Sequence, residues 1–210
     1  MSSENTDTYK TISTSSEGLY KEKGSKFLAF AFPVNSKEEV EANIAILRKK
    51  YFDARHHCYA WRLATTPETF RANDDGEPSG TAGKPIYGQI ISHEVTNILI
   101  VVVRYFGGVL LGTGGLVKAY KTAAAEALNN ATIIEKIRTV SHTIKFPYEK
   151  TSAVMKILKD KNITPSSPKY NEAGICEMEI EIRLRDVDRI KTKIAEIYPD
   201  FVTKTSKTVS

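Results

Sequence analysis

Ile98-Leu99-Ile100-Val101-Val102-Val103, running on into Arg104-Tyr105-Phe106-Gly107-Gly108, decides how this chain folds. Six apolar residues in a row, mostly β-branched, fit a strand covered on both faces. Downstream, a glycine-rich turn leads into a helix from about Gly114 to Leu128, with a short strand at Ala131 to Ile134. Upstream, Ile86 to His93 reads as a short helix, Thr65 to about Pro85 as a long polar loop, and His57 to Ala64 as a strand. Further back, Ser36 and Glu39 form a capping box ahead of the helical face Val40, Ile44, Leu47 and Tyr51. Leu19–Lys21 and Phe27–Pro33 make a hairpin that turns at Lys23-Gly24-Ser25.

The last third repeats none of this. Val140, His142, Ile144 and Phe146 alternate with polar residues as a half-buried strand does. Ala153, Val154, Ile157 and Leu158 form a helical face. Ile163 to Tyr170, with two prolines, fits an irregular edge strand. Cys176 to Leu184 alternates again, with Glu177, Glu179 and Glu181 on the outer face. Val187, Ile190, Ile194 and Ile197 mark a helix with Asp186 as N-cap, and Phe201 to Val209 a final strand. The order β-α-β-β-α-β is that of the ferredoxin-like plait. The fold class is therefore α+β with two domains: residues 17–135 and 136–210, after a loose polar segment over 1–16.

Composition sets limits. The 210 residues are 41% hydrophobic and 26% charged, as in a globular protein. No apolar run reaches the roughly 18 residues of a membrane helix, so no membrane partner is expected. The N-terminus lacks a signal-peptide pattern, and Cys58 and Cys176 read as reduced thiols; both point to the cytoplasm. The net charge is +5, and residues 136–210 hold the whole excess. That asymmetry suits an anionic partner. The plait sheet is a poor RNA platform, because three glutamates on its outer face repel phosphate.

Three clusters could carry chemistry. In the first, Asp74-Asp75-Gly76-Glu77-Pro78-Ser79-Gly80-Thr81-Ala82-Gly83-Lys84-Pro85, the carboxylates could take a cation or orient water. Ser79, Thr81, Lys84 and the glycine-flanked amides could take an anion. A solvated loop fits equally. In the second, Arg104, Tyr105, Phe106, Gly107 and Gly108 precede Gly112-Thr113-Gly114-Gly115 and Lys118. Thr113 would cap a helix whose first amides, beside Arg104, suit phosphate or carboxylate; close backbone packing is the other reason for so many glycines. In the third, Arg55-His56-His57-Cys58, neighbouring histidines on a strand face opposite ways, so at most one faces the site. Walker-type and Rossmann-type nucleotide loops fail on spacing. No metal site or cofactor is expected, and no catalytic residue can be assigned.

Ala54–Trp61, the Asp74–Pro85 loop and Val101–Leu116 together closely resemble the IMPACT/YigZ family over roughly Gly18 to Thr132, in its bacterial YigZ-type form. The resemblance implies an N-terminal domain like a ribosomal-protein domain and domain IV of elongation factor G, and a plait like that factor's domain V. By that analogy the partner is RNA or the ribosome and the role is regulation of translation. Eukaryotic IMPACT proteins carry an RWD domain; nothing of that size precedes Gly18, so RWD-mediated partners are not expected. Two rivals stand beside this reading. One is an enzyme for a small anionic substrate, held by Arg104 and the Thr113–Gly115 amides, with Asp75, Glu77 or His57 as base. The other is a protein-docking module using Tyr105 and Phe106.

Overall fold

A computed structural model describes residues 7–64 and 68–198, together with the backbone of the strand Val202–Val209. Contacts divide the chain into one unit over Lys10–Lys136 and a second that joins residues 7–9 to those from Ile137 onward.

The first unit is built on a five-stranded antiparallel sheet. Its strands are β2 (Ser16–Glu22), β3 (Ser25–Pro33), β4 (His56–Leu63), β5 (Thr69–Asn73) and β6 (Ile98–Tyr105), in the order β2-β3-β6-β4-β5. β6 is central and is buried from Ile98 to Arg104. Alternation then sorts its side chains. Ile98, Ile100 and Val102 pack with α2 (Gly83–Ser92) and α3 (Gly112–Asn129). Leu99, Val101 and Val103 pack with α1 (Lys37–Lys50) on the other side. Helices on both faces explain why the β6 sequence shows no alternation of its own.

The second unit has the order β8 (Thr139–Pro147), α4 (Thr151–Asp160), β9 (Lys169–Tyr170), β10 (Ile175–Arg183), α5 (Val187–Ile197) and β11 (Val202–Val209). The sheet runs β11-β8-β10-β9. Ile144, Phe146, Met178, Ile180 and Ile182 meet Val154, Leu158, Ile190 and Ile194 in one core. Among the described residues no helix is long and apolar enough to cross a membrane.

Several expectations are corrected. Within the segment expected to be loose, β1 (Thr8–Ile12) pairs with β7 (Ile133–Ile137), and Tyr9 and Ile12 are buried. Asp7 anchors it, accepting from Arg183 at 2.9 and 3.0 Å. Residues 1–6 of that expected loose segment, residues 65–67 of the polar loop and Phe201 lie outside the described residues. The polar loop contains β5, paired with β4 from Tyr59 to Leu63. The edge strand shrinks to Lys169–Tyr170, since Pro165 and Pro168 lack the amide protons a longer ladder needs. Asp186 stands at the N-cap of α5, but its Oδ1 accepts from Arg189 rather than from a helix amide.

Candidate functional site

The acidic loop follows β5 and lies against the ends of β4 and β6. Each of its carboxylates has a partner within the protein. Asp74 accepts backbone N–H groups from Gly80 (2.8 Å), Ala82 (3.0 Å) and Gly83 (2.8 Å), so it caps α2 from nine residues before it. Burial pushes its carboxyl up, but these amides and Lys84 more than offset that and hold it below the usual range. Asp75 accepts from the His57 amide and from Arg48, both at 2.6 Å. Glu77 is buried and accepts from Arg104 at 2.6 Å and from the Tyr120 hydroxyl at 2.7 Å. Thr81 is buried and donates to the Pro78 carbonyl at 2.6 Å. These carboxylates are thus engaged within the protein rather than free to take a cation or orient water. Among the described residues no three His, Cys, Asp or Glu side chains gather as a metal would require.

Arg104 is a second correction. It was expected at the surface as an anion ligand, yet 7% of it is exposed. Its guanidinium lies over the Phe27 ring at 5.5 Å and the Phe106 ring at 5.8 Å while it pairs with Glu77. Together with Tyr120 it forms a buried polar cluster. Cys58 Sγ adds to that cluster, 2.9 Å from the Asp74 carbonyl and 3.3 Å from the Tyr120 hydroxyl. Burial pushes the Cys58 thiol and the Tyr120 hydroxyl far above their ordinary values, so neither is poised as a nucleophile. Tyr120 is the functional member of this cluster that no sequence motif marks. Its signal was a lone hydroxyl on the alanine-rich stripe Ala119, Ala123, Ala124 and Ala127.

The histidines separate as alternation requires. His56 pairs with Arg104 across the sheet, and its Nδ1 lies 2.9 Å from the Asp75 carbonyl. His57 is buried on the opposite face, and among the described residues its Nε2 has no hydrogen-bond partner. Burial, then Arg48, lowers its pKa. His57 therefore leaves the site. His56 stays, in a cleft of about 630 Å³ lined with Arg55, Arg104, Tyr105, Phe106 and Leu110. Tyr105 is half-buried and donates to Asp53 at 2.7 Å; Phe106 is exposed.

The glycine-rich segment opens α3. The helix begins at Gly112 after Leu111, with no side-chain cap, so Thr113 lies inside the first turn and does not cap it. Gly107 is needed for packing, since a Cβ there would fall 2.0 Å from the Gly24 carbonyl carbon. Gly114 has open space around it and an ordinary φ. Packing therefore does not require it, and the α3 start presents bare amides to solvent. Gly112, Thr113, Gly114 and Lys118 are exposed, as are Ser79, Lys84 and Arg55, while Gly108 turns at φ 86°.

These features define an α+β protein in which a buried Glu77–Arg104–Tyr120 cluster braces an uncapped, glycine-rich helix start. The Impact N-terminal domain matches residues 23–128, and the chain belongs to the IMPACT family. The chain is 40% identical over 139 residues to the IMPACT family member YigZ of Escherichia coli, covering 65% of this chain and 68% of the relative. A Saccharomyces cerevisiae protein, named Protein IMPACT homolog, is 34% identical over 115 residues, covering 52% of this chain and 43% of its own length. A crystal structure of a hypothetical protein superposes with a TM-score of 0.69 at 28% identity, covering 95% of this chain and 98% of that one.

Proposed function

We propose that the protein is a cytoplasmic RNA- or ribosome-associated factor acting in the regulation of translation, and that the surface around the α3 start contacts phosphate. One observation carries this. By count, the Asp74–Lys118 region mixes acids with bases, which is a poor design for a phosphate chain. In the fold, Asp74, Asp75 and Glu77 are consumed by backbone amides, Arg48 and Arg104. What faces outward is Arg55, Lys84, Lys118, Ser79 and the uncapped helix amides. Bare N–H groups and exposed cations both suit phosphate. The resemblance of the two units to domains IV and V of elongation factor G, which touch ribosomal RNA, points the same way by analogy of fold.

The enzyme reading has lost its bases, since Asp75 and Glu77 are engaged and His57 faces the other side of the sheet. Cosedimentation with ribosomes and binding to ribosomal RNA at low salt test the proposal. Lys84→Glu with Lys118→Glu should weaken both while leaving the unfolding midpoint near that of the parent. A protein that binds neither RNA nor ribosomes at low salt removes the reading.

A further inference from the structure

α1 covers only part of its side of the sheet. On that same side, toward the β2 edge, a cleft of about 520 Å³ is lined with Leu19, Lys21, Lys26, Leu28, Tyr105 and Phe106. The register sets the pattern: Lys21 lies opposite Lys26, Lys26 opposite Tyr105, and Leu19 opposite Leu28. Two lysines directly across neighbouring strands repel each other, a cost that a sheet normally avoids. Both are exposed, and among the described residues neither has a carboxylate within ion-pair distance. Glu22 follows Lys21 in the chain but faces the other way and accepts from Tyr20 at 2.7 Å. Asp53 is taken up by the Tyr105 hydroxyl.

Beside the lysines stand the aromatics. Phe106 is 54% exposed, and the Arg104 guanidinium lies 5.8 Å from its ring centroid. Tyr105 and Phe106 also border the cleft that holds Arg55 and His56, so they stand between the two. An open cleft joining two lysines without carboxylate partners to an exposed aromatic ring matches one kind of partner, an anionic chain with free planar bases. A duplex keeps its bases stacked on one another and offers none to Phe106.

We propose that this uncovered sheet face binds single-stranded RNA, with an unpaired base stacked on Phe106 and phosphates at Lys21 and Lys26. The inference rests on the RNA-binding reading above and names the form of RNA recognised. It also adds a surface separate from the α3 start.

The test uses the full chain and fluorescence-anisotropy titration with labelled oligouridine and with a duplex RNA of equal length. Single strands should bind more tightly. Phe106→Ala should weaken oligouridine binding about tenfold, as loss of one base stack does, and Phe106→Trp should restore it. Lys21→Ala with Lys26→Ala should weaken it further and flatten its salt dependence. Lys21 and Lys26 are exposed, so their variant should match the parent in circular dichroism and unfolding midpoint, and Phe106→Ala should keep the parent's circular dichroism with at most a small drop in midpoint from the lost Arg104 contact. Equal binding of both RNAs, unmoved by Phe106→Ala but reduced by Lys84→Glu and Lys118→Glu, overturns this inference and leaves the RNA reading standing. Binding of neither RNA ends both. If Phe106→Ala changes self-association or a protein contact while oligouridine binding holds, the face is a protein-docking surface and the inference is overturned.

Discussion

Arg104 keeps a full charge almost out of water, and Glu77 at 2.6 Å is what permits it. The pair is braced from α3, because Tyr120 donates to the same Glu77 oxygen. Its effect is positional: it ties β6, the acidic loop and α3 to one point beneath the candidate surface. Arg104→Ala leaves Glu77 buried without its cation, so urea unfolding should show a loss of about 3–5 kcal/mol. Tyr120→Phe removes one donor to a charged acceptor and should cost about 1.5–3 kcal/mol. If Arg104→Ala abolished RNA binding without destabilising the protein, Arg104 would be a ligand after all. His57 sets a pH dependence. Burial depresses its folded pKa below the ordinary 6.5. Above about 6.5 both states are neutral there and it contributes nothing to the slope. Between 6.5 and the depressed value the unfolded chain binds a proton that the native chain refuses, so acid destabilises. Thermal midpoints should fall between about pH 7 and pH 5, less steeply in His57→Gln. His142, depressed by burial and then Lys191, acts in the same direction in the second unit, so some slope should remain.

α2 and α3 begin with the same difficulty, a turn of amides without helical partners, and resolve it differently. Asp74 supplies the anion that α2 needs, whereas α3 starts bare at Gly112. Gly114, in open space, separates fold from binding as a test. Gly114→Ala should hold or raise the stability by up to about 1 kcal/mol, because alanine favours the helix. It should lower RNA affinity if phosphate approaches the backbone there, and unchanged affinity would place the contact elsewhere. Element-level reading from sequence succeeded where side chains carry the structure. β6 was plain from its apolar run, β10 from its alternation. The Ser36 cap is present, its Oγ accepting the Glu39 amide at 3.2 Å, while Glu39 reaches back to the Asn35 amide at 2.8 Å, one residue before the capping-box position. β5 was invisible because Phe70 and Arg71 are exposed and no apolar period marks it. Its hold on the sheet is backbone pairing with β4, which no side-chain pattern records.

Across the whole chain, charge is where counting and structure part company. Residues 136–210 hold the formal excess, and residues 1–135 cancel on paper. Counting cannot show which charges are spent inside the protein. The location of the candidate site was legible because Gly, Asp and Arg cluster around one buried strand. The roles of Asp74, Asp75, Glu77 and Arg104 were not, because they depend on partners such as Arg48 and Tyr120 that only folding brings near. The outward cations then make a quantitative prediction. Each phosphate of a single strand neutralised by a side chain contributes about 0.7 to the slope of log affinity against log salt. If Arg55, Lys84 and Lys118 each meet one phosphate, each alanine substitution should reduce the slope by about 0.7. Any pair of substitutions should do so additively, since among the described residues no shared partner links these side chains. Ser79→Ala, at an exposed uncharged position, should leave the slope untouched even if it lowers affinity. The measurement is a salt series for the parent, the three single variants and one double variant on the same oligonucleotide. A slope unmoved by all three would mean that phosphate is held elsewhere, and the α3 start would lose its claim to be the contact surface.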